Sequence, residues 1–126
     1  MNTEISSGHA PVAIGPYSQA IATETKTIYV SGQLPVDPAT GAFAGEDVTA
    51  QTRQSIENIR AVLKEAETDL TKVVMTNVYL KDMKDFGAMN DVYASYFAKP
   101  FPARVAVEVA ALPKGALVEI SAIAQK

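Results

Sequence analysis

A segment near the C-terminus, residues 102–109, alternates between apolar side chains and side chains that include an arginine and a glutamate. Successive side chains of a β-strand point to opposite faces of the sheet, so this period of two residues predicts a strand. The alternation places Val105 and Val107 on one face, and Arg104 and Glu108 on the other. Charged groups inside a strand need a partner or a function, and this need constrains how the chain folds.

A second alternating segment follows at residues 117–122. It places Val118 and Ile120 on one face and Glu119 on the opposite face. If the two predicted strands are neighbours in a sheet, Arg104 and Glu119 share one surface.

The charged side chains are open to two interpretations. A structural ion pair between Arg104 and either Glu119 or Glu108 is the simpler one, because cross-strand charge pairs are common in sheets. The functional interpretation rests on chemistry, since the planar arginine fork offers parallel N–H donors to a carboxylate and stays charged at any working pH. A nearby glutamate can move protons. Other residues are needed to decide between the two.

Composition excludes several classes of function. The chain has 126 residues, of which 48% are hydrophobic, and this size fits one domain, residues 1–126, with its own core. It has no cysteine, which excludes disulfides and thiol catalysis, and the single histidine, His9, leaves no zinc-binding cluster. The net charge of −3 and the lack of a long basic run argue against a nucleic-acid partner.

The sequence gives no sign of a membrane segment. No run reaches the roughly 18 apolar residues that a membrane-spanning helix needs. The N-terminus lacks the basic and then apolar layout of a secretory signal. We therefore expect a soluble, cytoplasmic protein with no membrane partner.

Hydrophobic periodicity predicts the order of elements as three strands, a helix, a strand, a helix and two strands. Strands are predicted at residues 3–6, 17–22, 27–31, 72–81, 102–109 and 117–122. Apolar residues at helical spacing predict one helix from Val48 to Ala66, with Asp47 as its N-cap, and another from Met83 to Phe97. The aromatic stripe of the second helix is most simply explained by core packing.

Two amphipathic helices can cover only one face of a mixed sheet of this size. The other face still carries apolar residues, among which we expect Ala106, Leu117 and Ile123. A homo-oligomer joined through the bare sheet faces would cover them, and its subunit boundary is a natural place for a pocket.

Three separated motifs add a family resemblance. They lie at residues 15–20 (GPYSQA), at residues 30–35 (VSGQLP), and at residues 102–104 (PAR) together with residues 118–120 (VEI). In this order the motifs resemble the Rid family, also called YjgF, of imine and enamine deaminases. The likeness spans essentially the whole chain, and the three motifs together are highly specific.

The resemblance implies an α+β fold of the chorismate-mutase-like (Rid) type, in which two α-helices pack on one face of a mixed β-sheet. It also implies a homotrimer with three clefts between neighbouring subunits. The implied activity is hydrolysis of 2-iminobutanoate and 2-iminopropanoate, or their enamine tautomers, to 2-keto acids and ammonia, without a cofactor or metal. Such an activity protects pyridoxal-phosphate enzymes from damage by enamines.

The catalytic residues implied by the resemblance come from two of the motifs and the two C-terminal strands. Arg104 would clamp the substrate carboxylate, and Glu119 would orient or activate the attacking water. Tyr17 would help to position the water or the substrate, although a buried core tyrosine is its simpler structural interpretation.

The implied substrate-binding residues include Arg104 and four others. Ser31 and Asn90 would line the cleft, and Gly32 would offer its backbone N–H to the carboxylate. Ala106 would offer its backbone carbonyl to the substrate nitrogen. Many relatives place a cysteine where this chain has Ala106, which weakens any thiol-based regulation but leaves the backbone group in place.

Rival functions from other classes stay open. A non-catalytic binding module could hold small 2-keto acids or similar carboxylates with the same Arg104, because fold alone does not establish catalysis. A ribonuclease, translation-inhibitor or chaperone-like stress function is attributed to some relatives. The acidic balance of this chain counts against an RNA substrate.

Overall fold

The computed structural model describes residues 2–126, and its elements follow in the predicted order. The strands are β1 (Thr3–Ile5), β2 (Ala20–Ala22), β3 (Thr27–Gln33), β4 (Val73–Leu80), β5 (Ala103–Glu108) and β6 (Val118–Gln125). The helices are α1 (Val48–Glu65) and α2 (Phe86–Tyr96). Single helical turns precede β4, α2 and β6.

Helix α1 begins at the residue that the sequence predicts. Asp47 has an extended backbone, and its carboxylate accepts a hydrogen bond of 2.7 Å from the Ala50 N–H, as an N-cap does. The apolar face of the helix buries Ile56, Ile59 and Leu63 completely. Over residues 2–126, no helix is both long enough and apolar enough to cross a membrane.

Some predicted boundaries shift. The predicted strand 17–22 shortens to β2, because the Gln19 side chain turns inward to bond the preceding loop. Strand β3 continues past the predicted end to Gln33, which pairs with Ile120 of β6. The predicted second helix starts as a separate turn, which Asp82 caps through the Lys84 N–H, before α2 proper.

The six strands form one mixed sheet in the order β1-β2-β3-β6-β4-β5. Within residues 2–126, only β4 and β5 are parallel neighbours, whereas the other adjacent strands are antiparallel. Both helices contribute to one core with residues of the central strands, such as Val78 of β4 and Ile120 of β6. This architecture confirms the predicted α+β fold with two helices on one face of the sheet.

The position of β4 overturns one expectation. Strands β5 and β6 are not neighbours, because β4 lies between them. Thr76 of β4 pairs with Arg104 on one side and with buried Ala122 on the other, so Arg104 projects to the face that the helices cover. Tyr79 pairs with Glu119, and its odd spacing from Thr76 puts Glu119 on the opposite face. Arg104 and Glu119 therefore do not share a surface within one chain.

The sheet face without helices, here called the bare face, carries Tyr29, Val105, Val107 and Ile123. The first three are 49%, 43% and 38% exposed. The expectation of an uncovered apolar face is therefore confirmed for Ile123, which pairs with Tyr29.

The same expectation is wrong for Ala106 and Leu117. Both pack against the core under the helices. Ala106 does so because it shares the face of Arg104, two residues earlier in the strand. Leu117 precedes β6, and its N–H bonds to the Gln51 side chain of α1.

Candidate functional site

The predicted site residues form two groups on opposite faces of the sheet. The Glu119 cleft consists of Tyr17, Gly32 and Glu119. The Arg104 rim consists of Arg104 and the side chains of α2 that hold it. Each group supplies a different kind of chemistry, and the two are built by different parts of the chain.

The Glu119 carboxylate lies directly over the backbone of Gly32. A methyl group at Gly32 would overlap the Glu119 Oε2, so a glycine is needed there for this approach. The carboxyl group is half-buried, and burial raises the pKa of Glu119 above its usual value. Within residues 2–126, Glu119 forms no ion pair, so its carboxylate is free to accept a proton or a hydrogen bond.

A cavity of about 240 Å³ adjoins Gly32 and Tyr17. Val12, Ile14 and Leu34 give it an apolar wall. Tyr17 is 47% exposed and is therefore not the core tyrosine of its simpler interpretation. The cavity combines an apolar surface with a phenol and a glycine backbone, a mixture that is usual for small-molecule sites.

Helix α1 fixes one wall of this cavity through buried amides. The Asn58 Nδ2 donates hydrogen bonds to the carbonyl oxygens of Leu34 and Val36, at 3.1 and 2.9 Å. The Gln51 Oε1 accepts a hydrogen bond of 2.8 Å from the Leu117 N–H, just before the strand that carries Glu119. Satisfied buried amides of this kind rigidify the segments that they join.

The first two sequence motifs fix the opposite wall. Gln19 is buried, and its Nε2 donates hydrogen bonds to the carbonyl oxygens of Pro11 at 2.6 Å and Ser7 at 3.2 Å. The Ser31 hydroxyl donates a hydrogen bond of 2.6 Å to the Ser18 carbonyl oxygen. Ser31 therefore joins the two motifs, and its hydroxyl has a structural partner.

On the other face, neutral groups of α2 hold Arg104. Its Nη1 donates a hydrogen bond of 2.8 Å to the Asn90 Oδ1. The guanidinium carbon lies 4.7 Å from the centre of the Tyr93 ring and 5.5 Å from that of Phe86, distances typical of cation–π contacts. An open cavity of about 400 Å³ lies beside Arg104 and is also lined by Phe101.

The structural ion pair of Arg104 does not form. None of the ion pairs within the described residues 2–126 includes Arg104. Glu108 instead accepts a hydrogen bond of 2.8 Å from the Met83 N–H, and Glu119 is on the other face. Arg104 therefore keeps an uncompensated charge and unused N–H donors, which is the condition for binding an anion.

Ala106 lies two residues beyond Arg104 in β5, at the edge of the sheet. No strand of residues 2–126 pairs with the outer side of β5. Backbone groups on that side are therefore available to a ligand or to another chain.

Sequence reasoning missed the role of the α2 aromatic residues in holding Arg104. It assigned the aromatic stripe to core packing, and Tyr93 is indeed buried in the core. The available signal was spacing, since Phe86, Asn90 and Tyr93 are four and three residues apart and share one helix face. Nothing in that spacing revealed that Arg104 would lie across the same face.

The described residues 2–126 contain no group of three or more His, Asp or Glu side chains that could hold a metal ion. The groups on hand are an arginine, a carboxylate, a phenol and backbone amides. They can bind a carboxylate anion and transfer a proton.

Known proteins resemble this chain over nearly its whole length. The sequence profile of the family described as Endoribonuclease L-PSP matches residues 7–126. A RutC family protein of Pyrococcus horikoshii is 52% identical over 126 residues, covering 100% of this chain and 99% of that one. A protein of Capra hircus named 2-iminobutanoate/2-iminopropanoate deaminase is 53% identical over 120 residues, covering 95% and 87%. A Rid family crystal structure from Yersinia pestis has a TM-score of 0.96 at 47% identity, covering 100% of both chains.

The contact between Gly32 and Glu119 predicts the effect of a single methyl group. In Gly32→Ala, we expect the chain to fold and the flexible Glu119 side chain to rotate away, because the overlap involves its terminal atoms. A crystal structure of the variant measures the carboxylate position. Gly8→Ala is the control, since Gly8 lines the same cavity and has open space around it. An unmoved Glu119 carboxylate in Gly32→Ala would contradict the geometry.

Proposed function

Because the chain belongs to the Rid (YjgF) family, we propose that it is a hydrolase of C=N bonds that converts 2-imino acids to 2-keto acids and ammonia. The proposed substrates are 2-iminobutanoate and 2-iminopropanoate, together with their enamine tautomers. The name of the goat relative supports these substrates. The observation that carries the proposal is Arg104, a cation held only by neutral groups and therefore ready for a substrate carboxylate.

We propose a homotrimer in which each active site combines the Glu119 cleft of one subunit with the Arg104 rim of another. One chain cannot direct both side chains at one small substrate, because they lie on opposite faces of its sheet. The apolar side chains of the bare face support an interface between copies, since covering them removes apolar surface from water.

In the proposed reaction, Arg104 and the Gly32 N–H bind the substrate carboxylate. Glu119 takes a proton from water as the water oxygen bonds to the imine carbon, and the C=N electron pair moves to nitrogen. Glu119 returns this proton to the nitrogen, which gives a neutral carbinolamine. A second transfer through Glu119 moves the hydroxyl proton to the nitrogen as the C–N bond breaks, so ammonia leaves and the carbonyl forms. Tyr17 positions the water or the substrate. Placement and a proton acceptor suffice, because an imine carbon is already electrophilic.

The remaining predicted residues receive narrower roles in this proposal. Ser31 lines the cleft through its backbone, since its hydroxyl bonds to Ser18. Asn90 acts on the substrate through Arg104, to which it is bonded. Ala106 offers its backbone carbonyl to the substrate nitrogen from the edge strand. The reaction as proposed needs no cofactor.

The biological role that we propose is protection of pyridoxal-phosphate enzymes from reactive enamines. Dehydratases that act on threonine and serine release such imines. The proposal therefore places this protein in the cytoplasm, beside those enzymes.

RNA cleavage is the second candidate function, because the matching family profile is described as an endoribonuclease. The net charge of −3 counts against it, since RNA binding depends on the neutralisation of phosphates. Cleavage of a single-stranded RNA by the wild-type protein, with equal cleavage by an Arg104→Ala variant, would favour a ribonuclease that is independent of the proposed site.

Loss of the arginine tests the proposed activity. A threonine dehydratase generates 2-iminobutanoate in situ, and semicarbazide traps the imine that survives. We expect wild-type protein to lower trapping and Arg104→Ala to lose roughly 100-fold in kcat/KM, because the carboxylate loses its charged hydrogen-bond partner. Arg53→Ala, which removes an exposed arginine of α1, is the matched control and should keep wild-type activity. If wild-type protein leaves trapping unchanged, a non-catalytic carboxylate-binding module takes the place of the deaminase.

The Glu119 carboxyl group predicts a pH dependence. Only the ionised form can accept a proton from water, and burial raises the pKa of Glu119 above its usual 4.5. We therefore expect kcat/KM, corrected for uncatalysed hydrolysis at each pH, to fall as the pH drops, with a midpoint above 4.5. Glu119→Gln should lose roughly 10²- to 10⁴-fold in rate and abolish this acid limb. An identical acid limb in Glu119→Gln would assign the titration to another group.

A further inference from the structure

We infer that Tyr93 is a positioning residue, whose ring, anchored to Thr76, fixes the plane of the Arg104 guanidinium that receives the substrate carboxylate. The inference rests on the proposed function of Arg104. It assigns to an apparent core residue a specific part in substrate binding.

Three side chains close a triangle of contacts between α2 and two strands. Thr76 and Arg104 are register partners on the parallel strands β4 and β5, and both project toward α2. The Thr76 Oγ1 and the Tyr93 hydroxyl oxygen are 2.8 Å apart, and the Tyr93 ring lies 4.7 Å from the guanidinium carbon. The strand next to Arg104 therefore determines where the ring lies, and the ring determines where the guanidinium lies.

The environment of the ring leaves it little freedom. Tyr93 is 5% exposed, and its ring packs against Phe97 with centroids 4.5 Å apart. Burial raises the pKa of the Tyr93 phenol, which therefore stays neutral and keeps its hydrogen bond to Thr76 over the working pH range. A phenylalanine would fill the same space, so the hydroxyl contributes orientation rather than volume.

A second arginine, which stacks on another tyrosine of α2, shows what is special about this arrangement. Arg60 also lies over a tyrosine ring of α2, 5.2 Å from the centre of Tyr96, but it is exposed and ion-paired with Glu57. Its charge is therefore compensated. Arg104 has the ring contact and an amide partner without a carboxylate, so it is oriented and yet uncompensated.

This arrangement reduces the cost of binding. A free arginine side chain must lose rotamer freedom when it grips a ligand. The Tyr93 ring and the Asn90 amide restrict the guanidinium beforehand, while its other N–H donors stay available. Disturbing the ring should therefore weaken binding of a carboxylate ligand specifically.

Binding of the proposed product tests the inference independently of turnover. We expect NMR titration with 2-oxobutanoate to give an affinity about threefold weaker in Tyr93→Phe, which loses one hydrogen bond. In Tyr93→Leu, which loses the ring contact, we expect it to be roughly tenfold weaker. The affinity for 2-oxobutanamide, which lacks the anionic group, should stay unchanged in both variants. In the imine assay, the same variants should raise KM more than they lower kcat.

Two further variants separate positioning from folding. In Thr76→Val combined with Tyr93→Phe, both buried hydroxyls are removed together, so neither is left unsatisfied and the fold should be retained. This double variant should bind 2-oxobutanoate no more weakly than Tyr93→Phe alone, because the two hydroxyls act as one unit. Tyr96→Leu is the matched control, since it removes the other arginine-stacked tyrosine of α2, and it should bind like wild type.

The outcomes distinguish the inference from the proposed function. Wild-type affinity in Tyr93→Leu, together with loss of binding in Arg104→Ala, would overturn the inference and leave the function standing. If the Tyr93 variants lose affinity equally for 2-oxobutanoate and for 2-oxobutanamide, the role of Tyr93 is structural only. That result would overturn the inference too. If wild-type protein neither binds 2-oxobutanoate nor hydrolyses the imine, the proposed function fails and the inference fails with it.

Discussion

Two helices cover one face of a six-stranded sheet, and the remaining features of the molecule depend on that constraint. Because the chain has no third layer over residues 2–126, valine and tyrosine side chains stay exposed on the bare face. Because β4 aligns Arg104 with Thr76 and Glu119 with Tyr79, whose side chains point to opposite faces, Arg104 lies under the helices and Glu119 on the bare face. An active site that uses both side chains has to combine two copies of the chain.

The charged groups of Arg104 and Glu119 have different surroundings. Neutral partners orient Arg104 without cancelling its charge, so the guanidinium stays available to an anion. Glu119 is half-buried without a counter-ion, and this burial disfavours its ionised form. Both arrangements cost stability compared with a paired charge, and such costs are common where side chains serve function. Buried amides of α1 and of the first motif hold the surrounding loops in place.

The sequence predicted the fold well and the site only in part. Local signals, such as the cap at Asp47 and the alternation along β4, decided the elements and their order. Alternation also separated the two faces of each strand, but it carries no information on which strands are neighbours. The position of β4 between β5 and β6 and the register of its pairing were therefore not predicted, and neither was the placement of Arg104 and Glu119 on opposite faces. The stacking of Arg104 on Tyr93 was not predicted either, because it depends on a tertiary contact between a strand and a helix.

The central claim is that each active site is shared between two copies of the chain, and mixed oligomers test it most directly. Arg104→Ala and Glu119→Gln subunits, each of low activity alone, would be co-expressed with different tags and isolated as mixed assemblies. A shared site predicts recovery of about a third of wild-type activity, because one cleft of three in every mixed trimer then combines two intact groups. Arg104→Ala mixed with the double variant should stay inactive. If mixed assemblies show only the activity of their parents, each site belongs to one chain and the account is contradicted.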